Sequence, residues 1–205
     1  MISDLLKSVS DRWQTPVGRV ELVAMAVIVL CAFAIILSIV INFLECSRNP
    51  PRKRQSSVVA TGTMSLFFVL FYLLIRSRIG ELAVTNLTLR VALVLAGVAL
   101  IVLGCAVNIA GRLKLGRNWA NQVTIHQDQQ LVTGGVYALV RHPLYASLIW
   151  MFYGASLAYA NAAAFLANTA VFLPFMIYRA RQEERLLLAE FPEYAGYQAR
   201  VGMFF

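Results

Sequence analysis

The chain has 205 residues, 60% of them hydrophobic and only 14% charged, with a formal net charge of +8. Soluble domains average about 45–50% apolar and about 25% charged residues, so this composition excludes an ordinary water-soluble domain and predicts a single integral membrane unit. The basic excess lies beside long apolar runs and forms no stripe with interleaved aromatics, which points to anionic lipid headgroups and away from nucleic acid.

A bilayer core of about 30 Å needs about 20 apolar residues in a helix. Residues 20–44 meet this first. That run exceeds the roughly 7–15 residues of a signal-peptide apolar region, so a permanent span is expected. Residues 58–75 and 91–110 predict the second and third spans. Residues 144–160 and 162–178, parted by Asn161, predict a tight hairpin of two further helices. Pro174 should kink the last of these, because proline removes a donor and clashes with the preceding turn. A polar helix should continue past Arg179 and be interrupted near Pro192. The expected fold is an all-α integral membrane protein with five transmembrane helices and a cytoplasmic C-terminal helix. It forms one domain over 1–205, with three spans in 1–110 and the loop, hairpin and terminal helix in 111–205. Cys31, Cys46 and Cys105 are too few and too scattered for a disulfide framework or a zinc site, and no metal is expected.

Lysines and arginines set the expected orientation. Five spans place the loop after the first span, the loop after the third and the tail on one side. These carry Arg48, Arg52, Lys53, Arg54, Arg112, Lys114, Arg117, Arg141, Arg179, Arg181, Arg185 and Arg200. The other side carries Lys7, Arg12, Arg19, Arg76, Arg78 and Arg90. The richer side should be cytoplasmic and the N-terminus outside.

Three polar elements stand out near the richer side. One is Leu131-Val132-Thr133-Gly134-Gly135-Val136-Tyr137, after Gln129 and Gln130. The second is Arg141-His142-Pro143-Leu144-Tyr145. The third is Arg179, Glu183 and Glu184, with Tyr194 and Tyr197 beyond. Their content, order and spacing over about 112–202 resemble the isoprenylcysteine carboxyl methyltransferase family, whose C-terminal pattern is shared with membrane phospholipid methyltransferases. Residues 1–110 match it only as membrane helices. The resemblance implies S-adenosylmethionine as methyl donor, bound at the cytoplasmic face, and a hydrophobic acceptor arriving from the bilayer. It implies that Gln129, Gln130, Leu131, Val132, Tyr137, His142, Pro143, Leu144 and Tyr145 line the donor pocket. Glu183 would contact the donor and Arg179 the acceptor, with Gln122 a looser match. Three positions depart from the family pattern. Ser147 stands where glycine is usual, so the helix there should pack less closely. Pro192 replaces a common glycine, and the chain ends at Phe204-Phe205 without the usual proline.

The residue types suit that chemistry. A sulfonium donor with an ammonium and a carboxylate needs an acid, a cationic or imidazole donor and aromatic surface. Glu183 or Glu184, Arg141 or His142, and Tyr137 or Tyr145 supply these, and an aromatic face attracts a cation. Arg179 and Glu183, four residues apart, share one helical face. A carboxylate acceptor is already ionised near neutral pH. An amine acceptor must first lose a proton, for which Glu183 or His142 would be the base. The rival classes are phospholipid N-methylation, an NADPH-dependent reductase of the sterol-reductase type, and a non-enzymatic membrane scaffold. Taken singly, the elements have plainer readings: Arg141 as a boundary cation, His142-Pro143 as a helix start, Arg179/Glu183 as a surface pair, and Trp119, Tyr194 and Tyr197 as interfacial anchors.

Overall fold

The computed structural model describes residues 10–11, 13–46, 51–55, 58–116, 123–126 and 131–204. Trp119, Gln122, Gln129 and Gln130 lie outside the described residues. Five long helices carry the structure: α1 (Pro16–Cys46), α2 (Val58–Ser77), α3 (Leu87–Leu115), α4 (Pro143–Ala158) and α5 (Ala162–Glu190). A short α6 (Tyr194–Arg200) follows. Two short strands, β1 (Pro51–Gln55) and β2 (Val123–His126), pair antiparallel and tie the loop after α1 to the loop after α3. That pair was not anticipated.

Three of the helices are long and apolar enough to cross a membrane: α1 over Pro16–Asn42, α3 and α5. α4 is 16 residues, about 24 Å of helix, and falls short of a full crossing by its own length. α5 passes Pro174 by a different route from a simple break. A π-helical turn at Asn168–Phe172 precedes the proline. Widening the turn accommodates the missing donor and the ring, as π-bulges commonly do.

α3 and α4 are joined along a seam of small residues. Gly97, Gly104 and Gly111 recur on one face of α3. A Cβ on Gly97 would stand 2.4 Å from the Gly154 carbonyl oxygen, and one on Gly104 would stand 2.8 Å from that of Ser147. Only glycine allows backbones this close, which is how helices associate where no water drives them together. The looser packing expected at Ser147 is therefore overturned. Ser147 is fully buried, and its hydroxyl turns back to the Leu144 carbonyl at 2.8 Å while accepting from Asn108 Nδ2 at 2.8 Å. The hydroxyl is satisfied within its own turn and across the seam, so it adds little width.

α2 joins the bundle through aromatic rings. Phe67 stacks on Phe172 at 4.7 Å, and Phe71 meets Phe152 edge-on at 4.5 Å. Offset and edge-to-face pairs of this kind add about 0.5–1.5 kcal/mol beyond area burial. Much of α1 and α2 nevertheless exposes large apolar side chains, among them Leu30, Phe33, Leu44, Leu66 and Leu73. Such extensive apolar exposure fits a lipid solvent.

Candidate active site at the α4 and α5 ends

The segment before α4 makes the site's floor. A 3₁₀ turn, Gly135–Ala138, buries Tyr137. Pro143 occupies the first turn of α4, where its missing N–H costs nothing. His142 precedes it, and its carbonyl accepts from Ala146 N at 2.9 Å and Tyr145 N at 3.1 Å. His142 is thus a helix start, as the plainer reading held, but its side chain has a second employment.

That employment is with the last turns of α5. His142 Nε2 stands 3.1 Å from Glu184 Oε1, and Nδ1 stands 3.6 Å from Glu183 Oε2. An imidazole with a carboxylate at each nitrogen favours the doubly protonated form, since both nitrogens must donate. Burial opposes the charge, but the Glu183 and Glu184 carboxylates, which accept from the ring nitrogens, outweigh it and raise the His142 pKa above its usual value. A raised folded-state pKa gives stabilisation that is complete below the unfolded value of about 6.5 and lost as pH rises through the folded value. The thermal midpoint of the detergent-solubilised chain should therefore exceed that of His142→Gln by on the order of 5 °C at pH 6, with the gap narrowing by pH 9. A gap that widens with pH would show His142 held neutral.

Glu183 and Glu184, adjacent in sequence, point to different tasks. Glu184 is buried, accepting from Arg141 Nε at 2.8 Å, His142 Nε2 at 3.1 Å and Gln198 Nε2 at 3.1 Å. Both its oxygens are engaged, so it is a structural clasp and not the free donor-pocket acid expected for it. Arg141 is likewise committed: its Nη1 donates to the Gln198 carbonyl at 2.9 Å and to that of Val201. Its backbone N–H donates to Gly202 O at 2.9 Å and that of His142 to Met203 O at 3.2 Å, so the C-terminal segment is stitched alongside residues 140–142. The boundary-cation reading of Arg141 gives way to a buried tie.

Glu183 keeps 37% of its side chain exposed. It shares an environment with Arg179 and the Tyr145 hydroxyl. Arg179 is 6% exposed, and its Nε is buried with no hydrogen-bond partner among the described residues. A buried guanidinium N–H without an acceptor is costly, and it leaves one charge-assisted hydrogen bond still to be made. Tyr145 stacks beside His142 with ring centroids 5.6 Å apart. Tyr137 lies within electrostatic reach of Glu183, Tyr145 and Arg112. The Leu144 side chain packs by Gly111, and Pro143 is fully buried, so these two side chains shape the wall by apolar contact. Leu131 and Val132 are half-buried in the approach to the 3₁₀ turn.

Two features escaped the sequence reading. Arg112 is buried beside Tyr137, with its Nε donating to Asn108 Oδ1 at 2.8 Å, so a residue counted only as a boundary cation belongs to the site wall. The i, i+4 placement of Asn108 and Arg112 on α3 was the available signal. Tyr194 and Tyr197, expected at the membrane surface, are buried instead. Tyr197 donates its hydroxyl to the Tyr137 carbonyl at 2.6 Å, which braces the 3₁₀ turn from α6. Burial pushes the Tyr197 pKa up to about 12 and raises those of Tyr137 and Tyr194 as well, so all three hydroxyls stay protonated near neutral pH. Among the described residues, no cluster of His, Cys, Asp and Glu could hold a metal ion.

Residues 92–193 match the phospholipid methyltransferase family. The chain is 30% identical over 105 residues to two curated rice proteins, one from Oryza sativa subsp. indica and one from subsp. japonica, each described as "Probable protein-S-isoprenylcysteine O-methyltransferase". Each match covers 48% of this chain and 55% of the rice protein, so the chain spans about half the length of these relatives. The structure is similar to that of the eukaryotic intramembrane Ras methyltransferase, an isoprenylcysteine carboxyl methyltransferase. The TM-score is 0.53 at 25% identity, over 74% of this chain and 53% of the other.

Proposed function

We propose, from the match of residues 92–193 to the phospholipid methyltransferase family, that the chain transfers a methyl group from S-adenosylmethionine to the carboxylate of a lipid-linked or small hydrophobic acceptor at a membrane surface. The rice relatives and the Ras methyltransferase carry names of that activity. We read the chain as one domain over 1–205 with five spans, of which α2 and α4 are the short ones, 1–110 supplying three and 111–205 the donor loop, hairpin and terminal helix. We assign the Arg179 end to the cytoplasm, on the side that carries twelve of the eighteen Lys and Arg residues, and the N-terminus to the outside.

The observation that carries the reading is Arg179 Nε, buried without an acceptor among the described residues, beside a partly exposed Glu183. The donor set fits the proposed ligands. Glu183 would hold the ammonium of the donor, Tyr137 and Tyr145 would flank its apolar and cationic parts, and Gln129, Gln130, Leu131 and Val132 would close the pocket. The bound donor supplies an electrophilic methyl group. Arg179 would hold the acceptor carboxylate, and His142 would hold Glu183 in place. Such a transfer needs alignment and exclusion of water more than acid–base chemistry.

His142 also favours a carboxylate over an amine acceptor. Flanked by two carboxylates, the ring favours its protonated form, which has no free lone pair to act as a general base. Arg179, a fixed cation, suits an acceptor that is already an anion and would repel a protonated amine. Titrating the purified chain with S-adenosylmethionine and, separately, with NADPH tests the class. Saturable binding of the first and none of the second is expected. Saturable binding of NADPH alone contradicts the proposal, and binding of neither leaves a scaffold.

A further inference from the structure

The end of the molecule remote from Arg179 carries a second built feature. Arg90 and Arg112 bracket about 22 residues of α3, roughly 33 Å of helix. That distance is close to the thickness of a bilayer's apolar core. At the Arg90 end a cavity of about 370 Å³ opens between α1, α2, α3 and the turn joining α4 to α5. Ala24, Met25, Ile28 and Val94 are among its apolar lining, and the ion-paired Glu21 and Arg90 line it beside them. Tyr72, Arg76, Arg78, Glu81, Tyr159 and Asn161 complete the polar lining.

The polar lining is rigid. The α2–α3 turn and the α4–α5 turn are stitched together: Leu82 N donates to Ala160 O at 2.8 Å, Ala162 N to Gly80 O at 2.8 Å, and Asn161 Nδ2 to Ile79 O at 3.0 Å. Among the described residues, Arg78 (φ 58°) and Ala160 (φ 47°) are the non-glycine residues with positive φ, and both belong to this knot. Left-handed backbone at such residues is strained and persists where surrounding structure imposes it, often at ligand sites.

The charges are unevenly used. Arg90 is held by Glu21, with Nη2 at 2.8 Å and Nε at 3.0 Å from the same oxygen. Arg78 meets Glu81 only at 3.5 Å and is largely exposed. Arg76, also lining the cavity, makes no ion pair with the described residues. The cavity therefore offers two weakly engaged guanidinium groups, Arg76 and Arg78, together with apolar lining from α1 and α3. A phosphodiester with acyl chains attached matches both halves. Guanidinium suits phosphate, and the flanking tyrosines are of the type that sits at headgroup level.

We propose that this cavity binds one membrane glycerophospholipid, its phosphate on Arg76 and Arg78 and its first acyl methylenes on Met25, Ile28 and Val94. The site lies across the bilayer from the proposed methyl-transfer centre and is independent of that reading.

Native mass spectrometry of the full chain, in detergent with added phosphatidylglycerol or phosphatidylethanolamine, tests this directly. The wild type should retain one lipid against detergent exchange. Arg76→Ala/Arg78→Ala should weaken that retention about 10-fold or more, the loss of one or two charge-assisted hydrogen bonds. Met25→Trp, which fills the cavity and leaves every charge, should do the same. Unchanged thermal midpoints would show both variants folded, as expected for exposed positions. Retention at wild-type strength by either variant overturns the proposal. So does displacement of the lipid by millimolar inorganic phosphate, which would identify a free-anion site.

Discussion

Arg179→Ala should lower kcat for methyl transfer by on the order of 10²–10³-fold while leaving the dissociation constant for S-adenosylmethionine within about 3-fold of wild type. The expectation follows from where the guanidinium sits. It is 6% exposed on α5, and its Nε has no acceptor among the described residues. A buried N–H of that kind contributes little until an anion arrives, and then contributes a charge-assisted hydrogen bond of about 1.5–3 kcal/mol. Loss of acceptor alignment adds to this, since misplacement of about 1 Å can cost about 10²-fold. Arg179→Lys should recover only part of the rate, because an ammonium cannot reproduce the planar fork. Single-turnover measurements with the donor pre-bound separate the acceptor step from donor binding. A variant whose donor affinity collapses while turnover survives would reverse the roles of Arg179 and Glu183.

Glu183→Gln should weaken S-adenosylmethionine binding by about 10–100-fold, read by calorimetry or by equilibrium dialysis. Glutamine keeps the shape and loses the charge that would meet the donor's ammonium, which removes about 1.5–3 kcal/mol. The neighbouring substitution, Glu184→Gln, separates binding from architecture. Glu184 joins Arg141, His142 and Gln198. Removing one partner of a buried charged network costs about 3–5 kcal/mol. Glu184→Gln should therefore show up first as a lower thermal midpoint, whereas Glu183→Gln should show up first as weaker binding. Equal effects of the two on both measurements would refute the division of labour.

That division shows how far the sequence could be read. The Arg179/Glu183 pair was visible because residues four apart share a helical face. The Arg141-His142-Pro143 start was visible because proline suits the first turn. Which of two adjacent glutamates faces the site was not visible, since it depends on where α5 lies against α4, and that is decided by packing. The same applies to Tyr194 and Tyr197. A short helix bearing tyrosines reads as a surface anchor until the Tyr137 carbonyl is seen to take the Tyr197 hydroxyl. The helical segments followed from apolar runs of adequate length, whereas the π-turn before Pro174 was one of several ways to absorb a proline. Gly97, Gly104 and Gly111 recur at seven-residue spacing, yet the seam they form emerged only from the packing of α3 on α4, and Ser147 was misjudged because its hydroxyl's partners lie on its own turn and on Asn108.

The most direct test of the central claim is transfer of labelled methyl from S-adenosylmethionine into a membrane lipid extract by the purified chain, followed by mild alkaline hydrolysis of the product. A carboxylate acceptor held by Arg179 predicts label that is released as methanol by base and is absent with Arg179→Ala. Label that enters lipid but survives alkali would mark an N-methyl product and contradict the carboxylate reading. No Arg179-dependent label in the extract would contradict methyl transfer to a lipid altogether.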